Sequence, residues 1–166
     1  MPEPIVVPLE LTVNGVAYRE GVEPHRTLLR LLRDDLGLVG PKEGCDDSEC
    51  GACMVLIDGR PVNACSYLAL QAAGRTITTV EGLGTSGDLH PLQRAFLETG
   101  GIQCGFCTPG MLISAAALLA ADPHPSDEAI RDALAGNLCR CTGYQPIFAA
   151  VRQAAAELRA EDATAS

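Results

Sequence analysis

Lys42-Glu43-Gly44-Cys45-Asp46-Asp47-Ser48-Glu49-Cys50-Gly51-Ala52-Cys53 sets three cysteines at C-x4-C-x2-C within one short loop. A fourth, Cys65, follows across the tight-turn pair Asp58-Gly59. Three thiolates can converge from a single loop onto one compact group only if the loop wraps tightly. Gly44 and Gly51 supply the left-handed backbone and the close approach that such a wrap needs. Successive N–H groups in a wrap of this kind point inward and favour a negatively charged occupant.

The flanks of this loop read as a small sheet with one helix. Leu9, Leu11 and Val13 alternate with polar residues, Asn14-Gly15 makes a two-residue turn, and Val16 to Arg19 form the return strand. Thr27 caps a helix through Leu28, Leu29, Leu31, Leu32 and Leu36, which Gly37 closes. Beyond the cysteine loop, Met54 to Ile57, Val62 to Ala64 and Thr76 to Val80 read as strands. At 81–88 (EGLGTSGD) the composition shifts to Gly, Ser and Thr, the expected linker. Helices follow: from Pro91 to near Thr99, from Thr108-Pro109 to about Ala121, from a Ser126 cap to Gly136, and from Pro146 through Leu158. The tail after Arg159 is expected to fray. The class is α+β, with units at 1–82 and 83–166.

C-x4-C-x2-C with a later cysteine is the spacing of plant-type [2Fe–2S] ferredoxins. The remaining cysteines, Cys104, Cys107, Cys139 and Cys141, read C-x2-C, a gap of 31 residues, then C-x-C. Each pair stands just ahead of an expected helix, so two helix N-termini would present positive dipole ends to an anionic group. On spacing alone a structural zinc site competes for this second set. Disulfides are a poor account, because C-x-C and C-x-x-C pairs close no long loop. A Rieske centre needs two histidines, and His25, His90 and His124 all lie away from the cysteines, as loop or cap residues. There is no P-loop, G-x-G-x-x-G or H-E-x-x-H motif.

Composition narrows the function classes. The chain has 166 residues and a formal charge of -9, with Lys and Arg scattered, which argues against a nucleic-acid partner. With no Trp, three Phe and three Tyr, its cores are built from small residues, and two small halves would be marginally stable without cross-links or bound metal. No run approaches the ~18 apolar residues of a membrane span, and MPEPIVVPLELTVNG does not read as a secretory leader. The expected location is the cytoplasm, where clustered thiols bind metal rather than pair as disulfides.

Three motifs together resemble the iron–sulfur subunit of molybdenum hydroxylases, the xanthine dehydrogenase, aldehyde oxidoreductase and carbon monoxide dehydrogenase family. They are Lys42 to Cys53, Gln103-Cys104-Gly105-Phe106-Cys107-Thr108-Pro109-Gly110, and Gly136-Asn137-Leu138-Cys139-Arg140-Cys141-Thr142-Gly143-Tyr144. The resemblance covers about Leu9 to Val151. It implies an N-terminal β-grasp, ferredoxin-like [2Fe–2S] domain and a C-terminal four-helix [2Fe–2S] domain, with no substrate site on this chain. It also implies a large catalytic subunit that binds molybdopterin and a medium subunit that binds FAD. Gln103 would hydrogen-bond the pterin, with a loop-capping amide as its plainer role, and Cys141 would be the ligand nearest the pterin. Electrons would run from molybdenum to the Cys104/Cys107/Cys139/Cys141 cluster, to the Cys45/Cys50/Cys53/Cys65 cluster, and on to flavin. Two positions depart from the family pattern: Ser48 stands where Gly is common, and Met54 where Thr is common. A solvent-facing loop serine is the expected role of Ser48; donation toward a cluster sulfur is the alternative.

Overall fold

The computed structural model describes residues 5–165. Residues 1–4, part of the leader reading, and Ser166 at the end of the tail lie outside the described residues.

The N-terminal half is a five-stranded sheet in the order β2-β1-β5-β3-β4. Strands β1 (Val7–Val13) and β2 (Val16–Val22) pair antiparallel from Val13↔Val16 outward. Asn14 (φ 50°) and Gly15 (φ 79°) make the turn, and both central residues are left-handed as a hairpin with the sheet's natural twist requires. Asp58 (φ 49°) and Gly59 (φ 79°) repeat that turn between β3 (Met54–Ile57) and β4 (Arg60–Asn63). The last strand, β5 (Thr76–Thr78), runs parallel to β1 and antiparallel to β3, which gives the β-grasp crossover. Leu9, Leu11 and Val13 face the core, as their alternation predicts.

The helix of this half begins as α1 (Leu28–Arg30) and widens into π turns over Leu31–Asp35. The Thr27 hydroxyl caps it by accepting from Arg30 N–H at 3.3 Å. Leu28, Leu29, Leu31 and Leu32 are all fully buried, a wider apolar face than one sheet contact needs. The reason is a second cover, the segment 64–72. Leu28 N–H donates to the Tyr67 carbonyl at 2.7 Å and Leu29 N–H to the Ala64 carbonyl at 3.0 Å. Free donors of the first helical turn are thereby satisfied by the two carbonyls that flank Cys65. Burial of four leucines stabilises this arrangement by about 1.5–3 kcal/mol each.

The C-terminal half is four helices: α2 (Pro91–Glu98), α3 (Thr108–Ala121), α4 (Asp127–Leu134) and α5 (Gln145–Ala165). Phe96 is fully buried, in a core with Leu92, Met111, Ile130, Ile147 and Val151. Helix α3 is apolar nearly all round because it packs on α4 and α2 on one side and on the β3–β4 hairpin on the other. Helix α5 does not fray after Arg159; it runs to Ala165. Arg94 of α2 ties it down, pairing with Glu157 and, at 3.3 Å, with Glu161.

The stretch 81–88 is not a loose connector. Asn14 and Thr79 exchange two hydrogen bonds of 2.9 Å, and Gly40 N–H donates to Glu81 at 2.6 Å. Thr85 and Asp88 bridge each other, and Val80 and Leu83 pack on the helical core. Among the described residues no helix is long and apolar enough to cross a membrane.

Candidate metal centres

The first cysteine loop owes its wrap to three left-handed residues, Asp46 (φ 57°), Ser48 (φ 59°) and Gly51 (φ 67°). Gly44 is required for space instead: a Cβ there would lie 2.7 Å from Cys50 Sγ. Cys53 leads into β3, and Cys65 lies just past β4, so the hairpin brings the two together at its open end. Asp47 N–H donates to Cys45 Sγ at 3.4 Å, and Cys53 Sγ lies 3.8 Å from Asn63 Oδ1.

In the helical half, Cys107 is the residue that caps α3, and Met111 N–H donates to its carbonyl at 3.0 Å. Cys139 and Cys141 lie on the loop that enters α5, shaped by Gly143 (φ 65°) and Tyr144 (φ 67°). Tyrosine is costly in that conformation. It is held there by its own ring, whose hydroxyl accepts from Cys139 N–H at 2.9 Å and which stacks on Phe148 at 6.1 Å. The Cys141 thiol meets Cys104 Sγ at 3.5 Å, and Cys139 Sγ lies 3.1 Å from the Thr142 hydroxyl.

None of the eight cysteines is in a disulfide. Among the described residues no three or more His, Cys, Asp or Glu converge as ligands of a single metal ion. Four cysteines per half is the donor set that a two-iron, two-sulfide cluster takes. Thr108, directly after Cys107, carries the one buried side-chain oxygen among the described residues that lacks a hydrogen-bond partner. An orphan hydroxyl of that kind fits a site whose missing acceptor is an inorganic sulfide.

Each half holds thiols of opposite acidity. Cys45 is exposed, and the N–H groups of Asp47 and then Cys50 hold it down at about 7. Cys104 is lowered, first by the Phe106 N–H. Burial pushes Cys53 and Cys107 up to about 12. At Cys139 burial opposes ionisation, but the Thr142 hydroxyl, 3.1 Å from its Sγ, brings the net shift down. Cys53 and Cys107 stay protonated until metal takes their protons' place. Cys45, Cys104 and Cys139 give up theirs more readily, whereas exposed Cys141 is raised, first by the neighbouring Cys104 thiol.

Gln103 is exposed on the loop that carries Cys104, and its side chain makes no hydrogen bond among those of the described residues. Ser48 departs from expectation. It does not face solvent: it is half-buried, with its hydroxyl against that of Ser66 and 3.8 Å from Cys65 Sγ. Asn63 explains the inward turn, donating to the Ser48 carbonyl at 2.9 Å and so holding the loop over the hairpin end. Asn137, Thr142 and Tyr144 also shape the helical site with their side chains, and all three stand inside the third motif. Their signal was available only as hydrogen-bonding types beside ligand positions.

A β-grasp sheet and a helical bundle with four free cysteines each define a two-centre iron–sulfur electron carrier. The family described as a 2Fe-2S iron-sulfur cluster binding domain matches residues 11–77, and the [2Fe-2S] binding domain family matches 79–152. The chain is 52% identical to the nicotinate dehydrogenase small FeS subunit of Eubacterium barkeri, over 89% of this chain and 94% of that one. It is 42% identical to the aldehyde oxidoreductase iron-sulfur-binding subunit of Escherichia coli (strain K12), over 95% of this chain and 76% of that one. Among solved structures it overlays quinoline 2-oxidoreductase from Pseudomonas putida 86 with a TM-score of 0.90 at 44% identity, covering 95% of this chain and 98% of that one. Aldehyde oxidoreductase from Desulfovibrio desulfuricans also gives 0.90, at 46% identity, over 93% of this chain but 17% of that longer one. The chain belongs to the family of iron–sulfur small subunits of molybdenum hydroxylases. It is the non-catalytic, electron-transfer subunit of an oxidoreductase complex, with two [2Fe–2S] domains and a larger catalytic partner.

Proposed function

We propose that Cys45, Cys50, Cys53 and Cys65 ligate one [2Fe–2S] cluster and that Cys104, Cys107, Cys139 and Cys141 ligate the other. The domains that carry them are 1–82 and 83–166. The observation that carries this reading is the gathering of four cysteines in each half, Cys53 and Cys65 at the open end of the β3–β4 hairpin beside the loop of Cys45 and Cys50, and Cys104 with its sulfur 3.5 Å from that of Cys141. A cluster held in each half supplies a one-electron couple. What this chain's residues contribute is a fixed ligand geometry, N–H donors toward the thiolates and exclusion of water from Cys53 and Cys107.

The helical site faces the catalytic subunit in this proposal. Cys104, Cys141 and Gln103 are exposed together with Phe106 (46%) and Leu138 (57%), an apolar rim of the kind buried at a contact. Gln103, with its amide uncommitted, hydrogen-bonds the pterin there, and Cys141 is the nearest ligand. The match to one-sixth of a much longer aldehyde oxidoreductase chain supports a partner held at close quarters. Electrons enter at the helical site, cross to the sheet site and leave toward FAD on a medium subunit. The complex works in the cytoplasm.

Metal analysis of the anaerobically purified complex tests this. About four iron and four sulfide per copy of this chain are expected, as two [2Fe–2S] centres require. Two iron with one zinc would make the helical site structural and break the path at its first step.

A further inference from the structure

Asn137 is buried to 2% exposure, a polar residue that stands between the two cysteine loops and is itself no ligand. Its amide joins the halves. Nδ2 donates to the Gly51 carbonyl at 3.1 Å, and Oδ1 accepts from the Ser114 hydroxyl of α3 at 2.7 Å. Next to it, Leu138 N–H donates to the Cys50 carbonyl at 2.9 Å. The two loops touch so closely that a Cβ on Gly51 would meet the Gly136 carbonyl at 2.3 Å. A Cβ on Gly110 would meet the Gly51 carbonyl at 2.1 Å. Nothing but hydrogen at these glycines allows the contact.

Cys50 and Gly51 belong to the sheet-half cysteine loop, and Leu138 precedes Cys139 of the helical set. We infer that Asn137 is a positioning residue, a clasp that sets the spacing of the two cysteine loops and holds the Cys50–Leu138 hydrogen bond as the bonded route between the centres. This rests on the ligand assignment above. The route reads Cys139, its peptide link to Leu138, the Leu138 N–H, the Cys50 carbonyl and the Cys50 side chain. With a cluster bound in each half, one electron would leave the helical-half centre, oxidising it by one, and reach the sheet-half centre, reducing it by one. No covalent bond forms or breaks and no proton moves. The buried amide suits this task because its two hydrogen bonds are directional, whereas an apolar contact would tolerate sliding.

The test uses the whole purified complex, with Asn137→Leu and Ser114→Ala compared with the native chain. Three readouts are taken: iron per chain, the EPR intensity of each reduced centre, and the splitting from magnetic coupling between the two centres. The rate of intramolecular electron equilibration after a reducing pulse is followed alongside. Asn137→Leu should keep both signals at native intensity while the splitting shrinks and equilibration slows severalfold. Ser114→Ala should move both in the same direction by less. Unchanged splitting and rate in both variants would overturn the clasp. If Asn137→Leu does not assemble, Ser114→Ala decides by the same measure. A native complex lacking two distinct EPR signals would instead mean that the ligand assignment had failed.

Discussion

Ser48 shows how one side chain can adjust a site without ligating it. Its φ of 59° is a conformation in which glycine costs less, and its hydroxyl stands 3.8 Å from Cys65 Sγ. A donor near a ligand sulfur stabilises the reduced, more negative state. Ser48→Gly should therefore lower the potential of the sheet-half centre, on the order of tens of millivolts for one weak hydrogen bond. A redox titration followed by EPR measures it; a rise would refute the role. His90 offers a residue-scale pH dependence. Its Nδ1 accepts from Leu92 N–H at 3.1 Å and caps α2, which requires the neutral ring. Burial, then Arg94, hold its pKa below the ordinary 6.5. A depressed value means that its stabilisation is complete above 6.5 and is lost as pH falls through the folded-state value. His90→Asn caps without titrating. The stability of the native chain relative to this variant should fall between neutral pH and about pH 5, seen in urea midpoints. A constant difference would show that the cap does not titrate.

At the scale of elements, helix α5 is the clearest case of tertiary contact overriding an expectation. Its last turns carry Glu157 and Glu161, poorly placed for the negative end of a helix dipole. Arg94 of α2 neutralises both and adds a bond to the Leu89 carbonyl. Arg94→Ala should cost little global stability, since the pair is partly exposed. It should also speed amide exchange selectively over the turns after Glu157. Uniform exchange along α5 would assign the helix's length to its own propensity. Buried Phe96 of the same α2 is a different kind of contact: Phe96→Ala should cost about 3–5 kcal/mol, measured by denaturation, because a full aromatic volume is left as a cavity.

For the whole molecule, the question is how far the halves are independent. Cys45 is exposed and lies outside the clasp, so Cys45→Ser should lose the sheet-half centre and leave the helical-half signal intact. Gly51→Ala should disturb both. Its φ of 67° and the 2.3 Å approach of its Cβ to the Gly136 carbonyl force the helical-half loop away. Iron per chain and the two EPR signals separate these outcomes, and equal loss in both variants would mean one cooperative unit. The α+β class, the two hairpin turns, four helix starts and both cysteine sets were legible in the chain itself. They depend on periods, caps and spacings that act within a few residues. What escaped was whatever depends on a partner far along the chain: the wide burial of Leu28 to Leu32, the inward Ser48, the length of α5 and the packed stretch at 81–88.

The sequence by itself determined where the cysteines cluster and in what local frame, because C-x4-C-x2-C, C-x2-C and C-x-C constrain a loop's own backbone. Only the tertiary structure decided how the two cysteine loops are joined. Asn137 reads as one more polar loop residue until folding sets it against Gly51, 86 positions away. The physical reason is that a hydrogen bond across such a distance depends on the packing of α3 on the β3–β4 hairpin, and no local pattern carries that information.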